Sequence, residues 1–562
     1  MIVLGIHDGH NAGAALVVDG MVVAAISEER LNNIKNYFGP PLFSIAKVFE
    51  IAGINPQKTD LIAIGCKVRV GPPYADINWL GRIQVQLAPY LHSHFFSKTY
   101  VKILHFFRDT ADLKTQFKLL GISDKPIVFV EHHLSHAACA FYQRPWKEET
   151  LILTLDGSGD GLCATVSVGK NHKIERIAET TFYDSLSNNL YSEITGYLGM
   201  KRWEHEYKVM GLAPYGKDDG LIDQLRDVIR INPKKPLEFQ NTFNAYLWQV
   251  TEKLSKFLVG RRFDNIAWAA QRYFEELISQ WVKNAINYTG IHNIVCSGGS
   301  FLNVKANKVI RELPEVKKVF FYPAADDGGT PVGAALEGYV RLCKERKTNP
   351  KIYPLADIYY GQSFNNEEIG EVLGKTKWKK KATLVDKDIE KSIASLLSEG
   401  KIVARFSGRD EWGSRALGNR SILADPRNLK VVGKLNFAIK QRDFWMPFAP
   451  SVLEEDADEY LCNFHPARYM IEAFDTKKKA DDIIAALHPF DRTARPQTVN
   501  SWNPEYKKIL TEFKKITGVS GILNTSFNLH GFPIVGTPET ALSTFENSGL
   551  DALVLEDWLI EK

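Results

Sequence analysis

Ile2–Ile26, IVLGIHDGHNAGAALVVDGMVVAAI, and Leu151–Ala178, LILTLDGSGDGLCATVSVGKNHKIERIA, decide the fold class. Each opens on an apolar run short enough for one strand, Ile2–His7 and Leu151–Leu155, and then enters a polar, glycine-containing loop. Each continues with two more apolar runs joined by a turn. Ala14–Val18 and Val22–Ile26 flank Asp19-Gly20, a hairpin signal because such a turn needs positive φ at its centre. Ala164–Val168 and Ile174–Ala178 flank Gly169-Lys170-Asn171. The shared plan of strand, loop, strand, turn, strand predicts a duplicated α/β unit, with two unrelated hairpins as the alternative.

Outward from these stretches, the segment Pro72–Leu120 is rich in aromatic and basic residues, including His92, His94, Phe95, Phe96, His105, Phe106 and Phe107, and reads as helices. A helical pattern covers Trp268–Asn287. Two strand–loop–helix units follow. Asn293–Cys296 feeds Ser297-Gly298-Gly299-Ser300 and a helix through Asn303 and Asn307. Val319–Tyr322 feeds Ala325-Asp326-Asp327-Gly328-Gly329 and a helix from about Val332. The Lys- and Pro-containing stretch Lys344–Pro354 is the best linker candidate. The expected organisation is a two-lobed α/β domain over 1–345, a linker over 346–359 and an α+β domain over 360–562.

A chain of 562 residues holds roughly three or four units of about 100–200 residues each. Seventy Lys and Arg against 66 Asp and Glu leave a net charge of +4, which excludes a surface dedicated to coating nucleic acid but not a local basic pocket. No apolar run reaches about 18 residues, so no transmembrane helix is expected. Met1–His10 carries neither a basic n-region nor a long apolar core, which argues against a secretory signal. Cys66, Cys139, Cys163, Cys296, Cys343 and Cys462 form no CxxC pair. That argues against a zinc knuckle or a disulfide framework and fits a reducing cytoplasm, with the cysteines as small buried hydrophobes.

The sharpest chemical signal is Glu131-His132-His133-Leu134-Ser135-His136. His132 and His136 stand at i, i+4, so a helix puts both imidazoles on one face, the spacing by which two histidines share a metal. Asp156 and Asp326-Asp327 each follow an apolar strand, and strand C-termini converge in open α/β sheets. Two His with one or two Asp make a mixed N/O site suited to a divalent transition metal, against the plainer reading of these aspartates as turn formers. Ser297-Gly298-Gly299 feeds a helix N-terminus, a phosphate cradle or merely a tight turn. Gly408–Arg427, GRDEWGSRALGNRSILADPR, sets Arg409, Arg415, Arg420 and Arg427 among glycines and polar residues. With Lys440-Gln441-Arg442 and Asn524-Thr525-Ser526-Phe527-Asn528 it reads as a pocket for a small, multiply anionic ligand, because guanidinium groups grip phosphate bidentately, against the plainer reading of a solvated salt-bridge surface.

Together these motifs resemble the O-carbamoyltransferase family that includes the nodulation protein NodU, the cephalosporin carbamoyltransferase CmcH and tobramycin carbamoyltransferase. The resemblance spans nearly the whole chain. It rests on His10 before Ala14-Ala15-Leu16-Val17, Glu28-Glu29-Arg30 with Lys35, EHHLSHAACAFY, LDGSGDG, HEYKVMGLAPYG (His205–Gly216), SGGSFLNVKAN and DDGGTPVGAA. It continues through EWGSRALGNRSILADPR, IKQRDFWMPFAPSVL, ARPQTV (Ala494–Val499) and NTSFNLHGFPIV. The resemblance implies an actin-like ATPase (ASKHA-type) lobe pair followed by a YrdC-like α+β domain. It implies that the C-terminal domain forms carbamoyladenylate and pyrophosphate from carbamoyl phosphate and ATP, with Mg²⁺. The N-terminal domain then transfers the carbamoyl group to a hydroxyl of a small-molecule acceptor and releases AMP.

By that resemblance a metal, Fe²⁺ or another divalent transition ion, is held by His132, His136 and Asp327, with Asp326 leaving the register open and Asp156 binding directly or through water. Such an ion is a Lewis acid for the carbamoyl carbonyl or the acceptor oxygen. His10, Lys35 and Asp156 are the catalytic candidates, His10 as general base or oxyanion partner. Ser297, Gly298 and Gly299 with Lys35 are expected to hold the adenylate, with Asn303 and Glu206 beside it. Arg415, Arg420, Lys440, Arg442, Arg495, Asn524, Ser526 and Asn528 are expected to bind carbamoyl phosphate and ATP, joined by Gln497. No nucleic-acid or membrane partner is expected, and a homodimer is left open. The competing readings are a tRNA threonylcarbamoyl transferase, a maturation factor that carbamoylates a protein thiol but carries zinc-binding Cys pairs that this chain lacks, and a non-catalytic actin-like ATP-binding switch, which would leave the C-terminal arginines without a purpose. The acceptor is unspecified, with Pro72–Leu120 one segment that would select it.

Overall fold

A computed structural model describes residues 1–69 and 94–562. Residues 70–93, the first part of the Pro72–Leu120 segment, lie outside the described residues, and the remainder forms the helices His94–Phe106 and Ala111–Leu119. The chain divides into two units, Met1–Ser27 with Tyr37–Leu355, and Glu28–Asn36 with Ala356–Lys562.

In the first unit the opening residues form β1 (Ile2–His7), β2 (Gly13–Val18) and β3 (Met21–Ser27), with Asp19 and Gly20 both at positive φ in the hairpin turn. β4 (Leu61–Ile64) and β5 (Ile127–Phe129) complete a sheet ordered β3-β2-β1-β4-β5. The first two pairings are antiparallel and the last two parallel. The second quoted stretch forms β6 (Thr150–Gly159), β7 (Leu162–Lys170) and β8 (Lys173–Thr181). A separate hairpin, β9 (Ile229–Asn232) and β10 (Lys235–Asn241), precedes β11 (Asn293–Ser297) and β12 (Lys318–Phe321). The second sheet runs β8-β7-β6-β11-β12, with the same senses in the same order. The duplicated plan is therefore real.

One detail differs from the sequence reading. The expected loop at 156–161 is extended chain through Gly159, with a register shift after Leu155 and a turn only at Asp160-Gly161. A Cβ on Gly159 would lie 2.1 Å from the His132 ring, so glycine lets the strand run on beneath that imidazole.

Each sheet's last strand leads to a helix of small residues, His132–Tyr142 after β5 and Thr330–Glu345 after β12. His132–Tyr142 packs on β6 and β11, whereas Thr330–Glu345 packs on β1, β2 and β4. The two helices also pack on each other, where a Cβ on Gly333 would stand 1.9 Å from the Ser135 carbonyl. This close crossing brings the starts of both helices to one place between the sheets. The helix expected over Trp268–Asn287 runs from Phe263 to Thr289 and buries Tyr273, Phe274, Ile278 and Trp281 on its inner face.

The second unit holds a mixed eight-stranded sheet. Its strands are β13 (Ala382–Leu384), β14 (Val403–Phe406), β15 (Arg420–Ala424), β16 (Ala449–Leu453), β17 (Gln497–Val499), β18 (Gly521–Ser526), β19 (Ala552–Leu555) and β20 (Trp558–Glu561). They are ordered β13-β20-β19-β14-β15-β18-β16-β17. Strand alternation feeds two cores. Val403, Leu423, Ile522 and Val554 face the helices Ile389–Ser398 and Pro504–Thr517. Ala404, Ile422, Leu523 and Leu553 face Asn366–Gly374 and Pro538–Glu546. Each buried Val, Leu or Ile side chain here contributes roughly 1.5–3 kcal/mol by leaving water, so a sheet covered on both faces is the stable arrangement for this pattern.

Five of the six cysteines are buried and Cys462 is half-buried, all as free thiols. Among the described residues no helix is long and apolar enough to cross a membrane.

Candidate functional site

In the first unit the crossing of the two helices gathers four side chains. His132 and His136 lie on one face of their helix, Asp156 lies within β6 just past its register shift, and Asp327 precedes the other helix. His132 Nε2 is 3.1 Å from His136 Nε2, 3.2 Å from Asp156 Oδ2 and 3.4 Å from Asp327 Oδ1. His136 Nε2 is 3.4 Å from Asp327 Oδ1 and 4.0 Å from Asp156 Oδ2. Ligands held about 2.1 Å from one metal ion stand roughly 3.0–3.4 Å apart in octahedral or tetrahedral arrangements. The convergence of two imidazoles and two carboxylates at these separations therefore fits a divalent transition metal. Burial opposes charge on His132, yet Asp327 and Asp156 raise its pKa to about 10. Burial likewise opposes ionisation of Asp327, but His132, His136 and His7 hold it well below the usual carboxylate range.

The surrounding shell is built from local sequence. Glu131 caps the helix by accepting from the His133 and Leu134 amides, and Arg176 holds the same carboxylate at 2.5 Å. Asp160 accepts from the His132 amide at 2.8 Å and from the Lys67 and Val68 amides. His136 Nδ1 lies 3.3 Å from Ser297 Oγ, leaving Nε2 for the cluster. The Gly299 amide donates to Asp156 Oδ1 at 2.9 Å. Gly298 sits at φ +109° with Leu155 O where a Cβ would be, so only glycine closes this turn against β6.

The residues proposed beside this cluster separate on inspection. Asp327, not Asp326, supplies the carboxylate, because Asp326 caps the following turn through the Gly328 amide. Ser297 and Gly299 touch the cluster through His136 and Asp156. Asn303 caps Val304–Arg311 and exchanges amide hydrogen bonds with Gln271. Glu206 accepts from Ser192 Oγ and the Trp203 amide, and burial raises its pKa. His10 is bridged to Phe38 and stands edge-on to Trp203. The histidine beside Asp327 is His7, with Nε2 3.8 Å from Asp327 Oδ2, a residue the motif reading passed over. Its signal was its place at the end of β1, where β6 carries Asp156.

The second unit gathers cations. Lys440 is buried, and its ammonium donates to the Ser526 carbonyl and hydroxyl and, at 3.0 and 2.8 Å, to the carbonyl and side-chain oxygens of Asn528. Burial, followed by Arg442 and Lys35, pushes its pKa well below the usual ammonium value. Burial, followed by Arg415 and Arg442, likewise lowers Arg495. Cations thus crowd other cations here, the environment of a multiply charged anion.

Two assignments change. Lys35 was expected on the adenylate with the Ser297–Gly299 turn. The segment Glu28–Asn36 instead belongs to the second unit, anchored by Arg30 against Asp410 and the Gly413 carbonyl, and its Lys35 charge acts on Lys440. Arg420 was expected on phosphate. It is fully buried over the Phe406 ring, 3.7 Å from its centroid, and donates to the carbonyls of Ser407, Asn419, Gln362 and Gly408. It therefore braces the loop that carries Arg415. Asn524 donates to Ala416 O, Ser451 Oγ and Gln497 Oε1, tying together the segments that bear Arg415 and Arg495.

Residues 2–336 match the family described as carbamoyltransferase N-terminus, and residues 394–562 match carbamoyltransferase C-terminus. An uncharacterized protein of Synechocystis sp. is 31% identical over 600 residues, covering 98% of this chain and 95% of the relative. The nodulation protein NolNO of Sinorhizobium fredii is 32% identical over 572 residues, covering 98% of this chain and 79% of the relative. Among solved structures, HypF of T. kodakarensis is similar at a TM-score of 0.37 and 14% identity, over 62% of this chain and 48% of that one.

Proposed function

The chain belongs to the carbamoyltransferase family, and from this premise we propose an ATP-dependent O-carbamoyltransferase that works in two half-reactions. In the C-terminal unit, carbamoyl phosphate, ATP and one water would give carbamoyladenylate, pyrophosphate and orthophosphate. In the N-terminal unit, an acceptor hydroxyl would attack the carbamoyl carbon, giving the O-carbamate and AMP. The observation that carries this reading is the pairing, in one chain, of a His/His/Asp/Asp cluster with a cluster of mutually crowded cations. The proposed fold assignments are an actin-like ATPase (ASKHA-type) lobe pair, supported by the duplicated five-stranded sheets, and a YrdC-like domain, supported by the mixed sheet with helices on both faces.

Arg415, Arg442, Arg495, Lys440 and Lys35 would neutralise the phosphates of both substrates, Mg²⁺ accompanying ATP. Ser526 and Asn528 orient Lys440, and Arg420 and Asn524 hold the frame. In the N-terminal unit His132, His136, Asp327 and Asp156 would hold Fe²⁺ or another divalent transition ion. When bound, such an ion supplies Lewis acidity to the reacting oxygen atoms. Ser297 and Gly299 keep His136 and Asp156 oriented, and because the Gly298 and Gly299 amides donate to Ala325 O and Asp156 Oδ1, the adenylate would be held beside this turn by other groups. His10 would accept the acceptor's proton or support the carbamoyl oxygen. Glu206 and Asn303 shape the walls through their own hydrogen bonds.

The test is incubation with carbamoyl phosphate, ATP, Mg²⁺ and ferrous iron, reading pyrophosphate release, AMP release and a carbamoyl mass gain on a panel of hydroxylated metabolites. Pyrophosphate formed only with carbamoyl phosphate, and AMP formed faster with an acceptor, are expected. Absence of carbamoyl phosphate-dependent pyrophosphate would sink the reading.

A further inference from the structure

The duplication inside the first unit assigns equivalent positions to the site residues. Ile6 pairs with Ala14 as Leu155 pairs with Ala164, so His7 at the end of β1 is the counterpart of Asp156 in β6. The helix His132–Tyr142 follows β5 as Thr330–Glu345 follows β12, so the histidines and Asp327 also come from matching places. Three of these four positions supply the cluster. The fourth is His7.

His7 is 2% exposed, and neither ring nitrogen makes a hydrogen bond. A buried polar group left in that state costs about 1–3 kcal/mol, so a partner belongs there. The acid next to it in sequence does not serve, because Asp8 is taken up by Arg69 at 2.7 Å and Arg108 at 2.5 Å. His7 Nε2 instead points to Asp327, 3.8 Å from Oδ2, the carboxylate oxygen opposite the one facing His132 and His136. That separation is too long for a direct hydrogen bond. The donor atoms of His132, His136, Asp156 and Asp327 lie within 4.8 Å of one another, and His7 stands beside that set through Asp327 Oδ2. Gly9 makes room for this ring position, since a Cβ there would stand 2.8 Å from Nε2.

We propose that His7 is a further donor of the metal centre, binding through Nε2 the same divalent cation that His132, His136, Asp156 and Asp327 hold. The inference rests on the metal reading given above. Metal-free protein is titrated with Co²⁺, following the visible absorption, metal content per chain and competition against a chelator. This is done for the unaltered chain, His7→Ala and His7→Gln, with thermal melts of the metal-free forms as the folding control. The unaltered chain should bind one Co²⁺, and both variants should bind one Co²⁺ about 10–100-fold more weakly, with altered visible bands. If His7→Ala fails to fold, His7→Gln carries the comparison. Variants with unchanged affinity and spectrum overturn the assignment alone. So does an unaltered chain that binds two ions and loses one on substitution, because His7 then serves a separate site. An unaltered chain that binds no divalent ion overturns the metal reading, and this inference with it.

Discussion

In the N-terminal cluster each imidazolium that forms meets an acid, His132 standing 3.2 Å from Asp156 and 3.4 Å from Asp327. In the C-terminal cluster Lys440 and Arg495 meet other cations, Arg442 and Lys35 in one case and Arg415 and Arg442 in the other. The first arrangement neutralises itself with protons until a cation displaces them. The second lowers the pKa of its own members and is relieved when an anion binds. The contrast assigns opposite ligand charges to the two units from side-chain environment alone.

The largest break of this contrast is Asp327→Asn. Loss of a central carboxylate should abolish metal binding and slow transfer from supplied carbamoyladenylate by about 10³-fold, several kcal/mol. Pyrophosphate formation should stay intact, so equal loss of both half-reactions with the fold preserved would refute the division. Arg442→Ala is the mirror experiment. Removing a guanidinium from the anion cluster should cut adenylate formation by about 10²–10³-fold while metal content and transfer from supplied adenylate persist.

Proton linkage sharpens the contrast further. The metal-free His132, with its pKa raised to about 10, carries a proton at neutral pH that must leave before the nitrogen ligates. Metal affinity should therefore rise by about tenfold per pH unit below that value. Anion binding should do the reverse. Phosphate charge favours the protonated form of Lys440, so binding should weaken as pH rises through its lowered pKa, while Arg495 keeps its charge throughout. Calorimetry in buffers of different ionisation enthalpy reads both signs, and two events of the same sign would contradict the picture. The smallest effect belongs to Lys35→Ala. An exposed lysine at the edge of the anion cluster contributes about 1 kcal/mol, so the KM for carbamoyl phosphate or ATP should rise roughly fivefold. Metal affinity and transfer from supplied adenylate should not move. A defect confined to transfer would return Lys35 to the role suggested by its motif.

Much of the N-terminal fold was legible because its signals are local. Asp19-Gly20 and the flanking apolar runs specify a hairpin within a few residues, and His132 and His136 share a face as soon as a helix forms. Asp327 could be placed after an apolar strand for the same reason, whereas Asp156 proved to lie inside β6, because the strand runs on through Gly159. The choice between Asp326 and Asp327 could not, because neighbouring residues in a turn point different ways and only the packed helix start decides which carboxylate enters. Arg420 was misread for a related reason. Arginines among glycines look alike in sequence whether their N–H groups face a ligand or the loop's own carbonyls.

By itself the sequence determined the duplicated strand plan, the i, i+4 histidine pair and the cationic character of the C-terminal segments. These depend on backbone periodicity and composition, which act over short distances. Tertiary structure decided that Thr330–Glu345 packs on the first sheet and His132–Tyr142 on the second, bringing residues from three separate places to one point. It also decided that Glu28–Asn36 joins the C-terminal unit, carrying Lys35 with it. Both outcomes come from burying apolar faces and satisfying buried charges such as Arg30 against Asp410, and partners far apart in the chain are chosen only once the chain has folded.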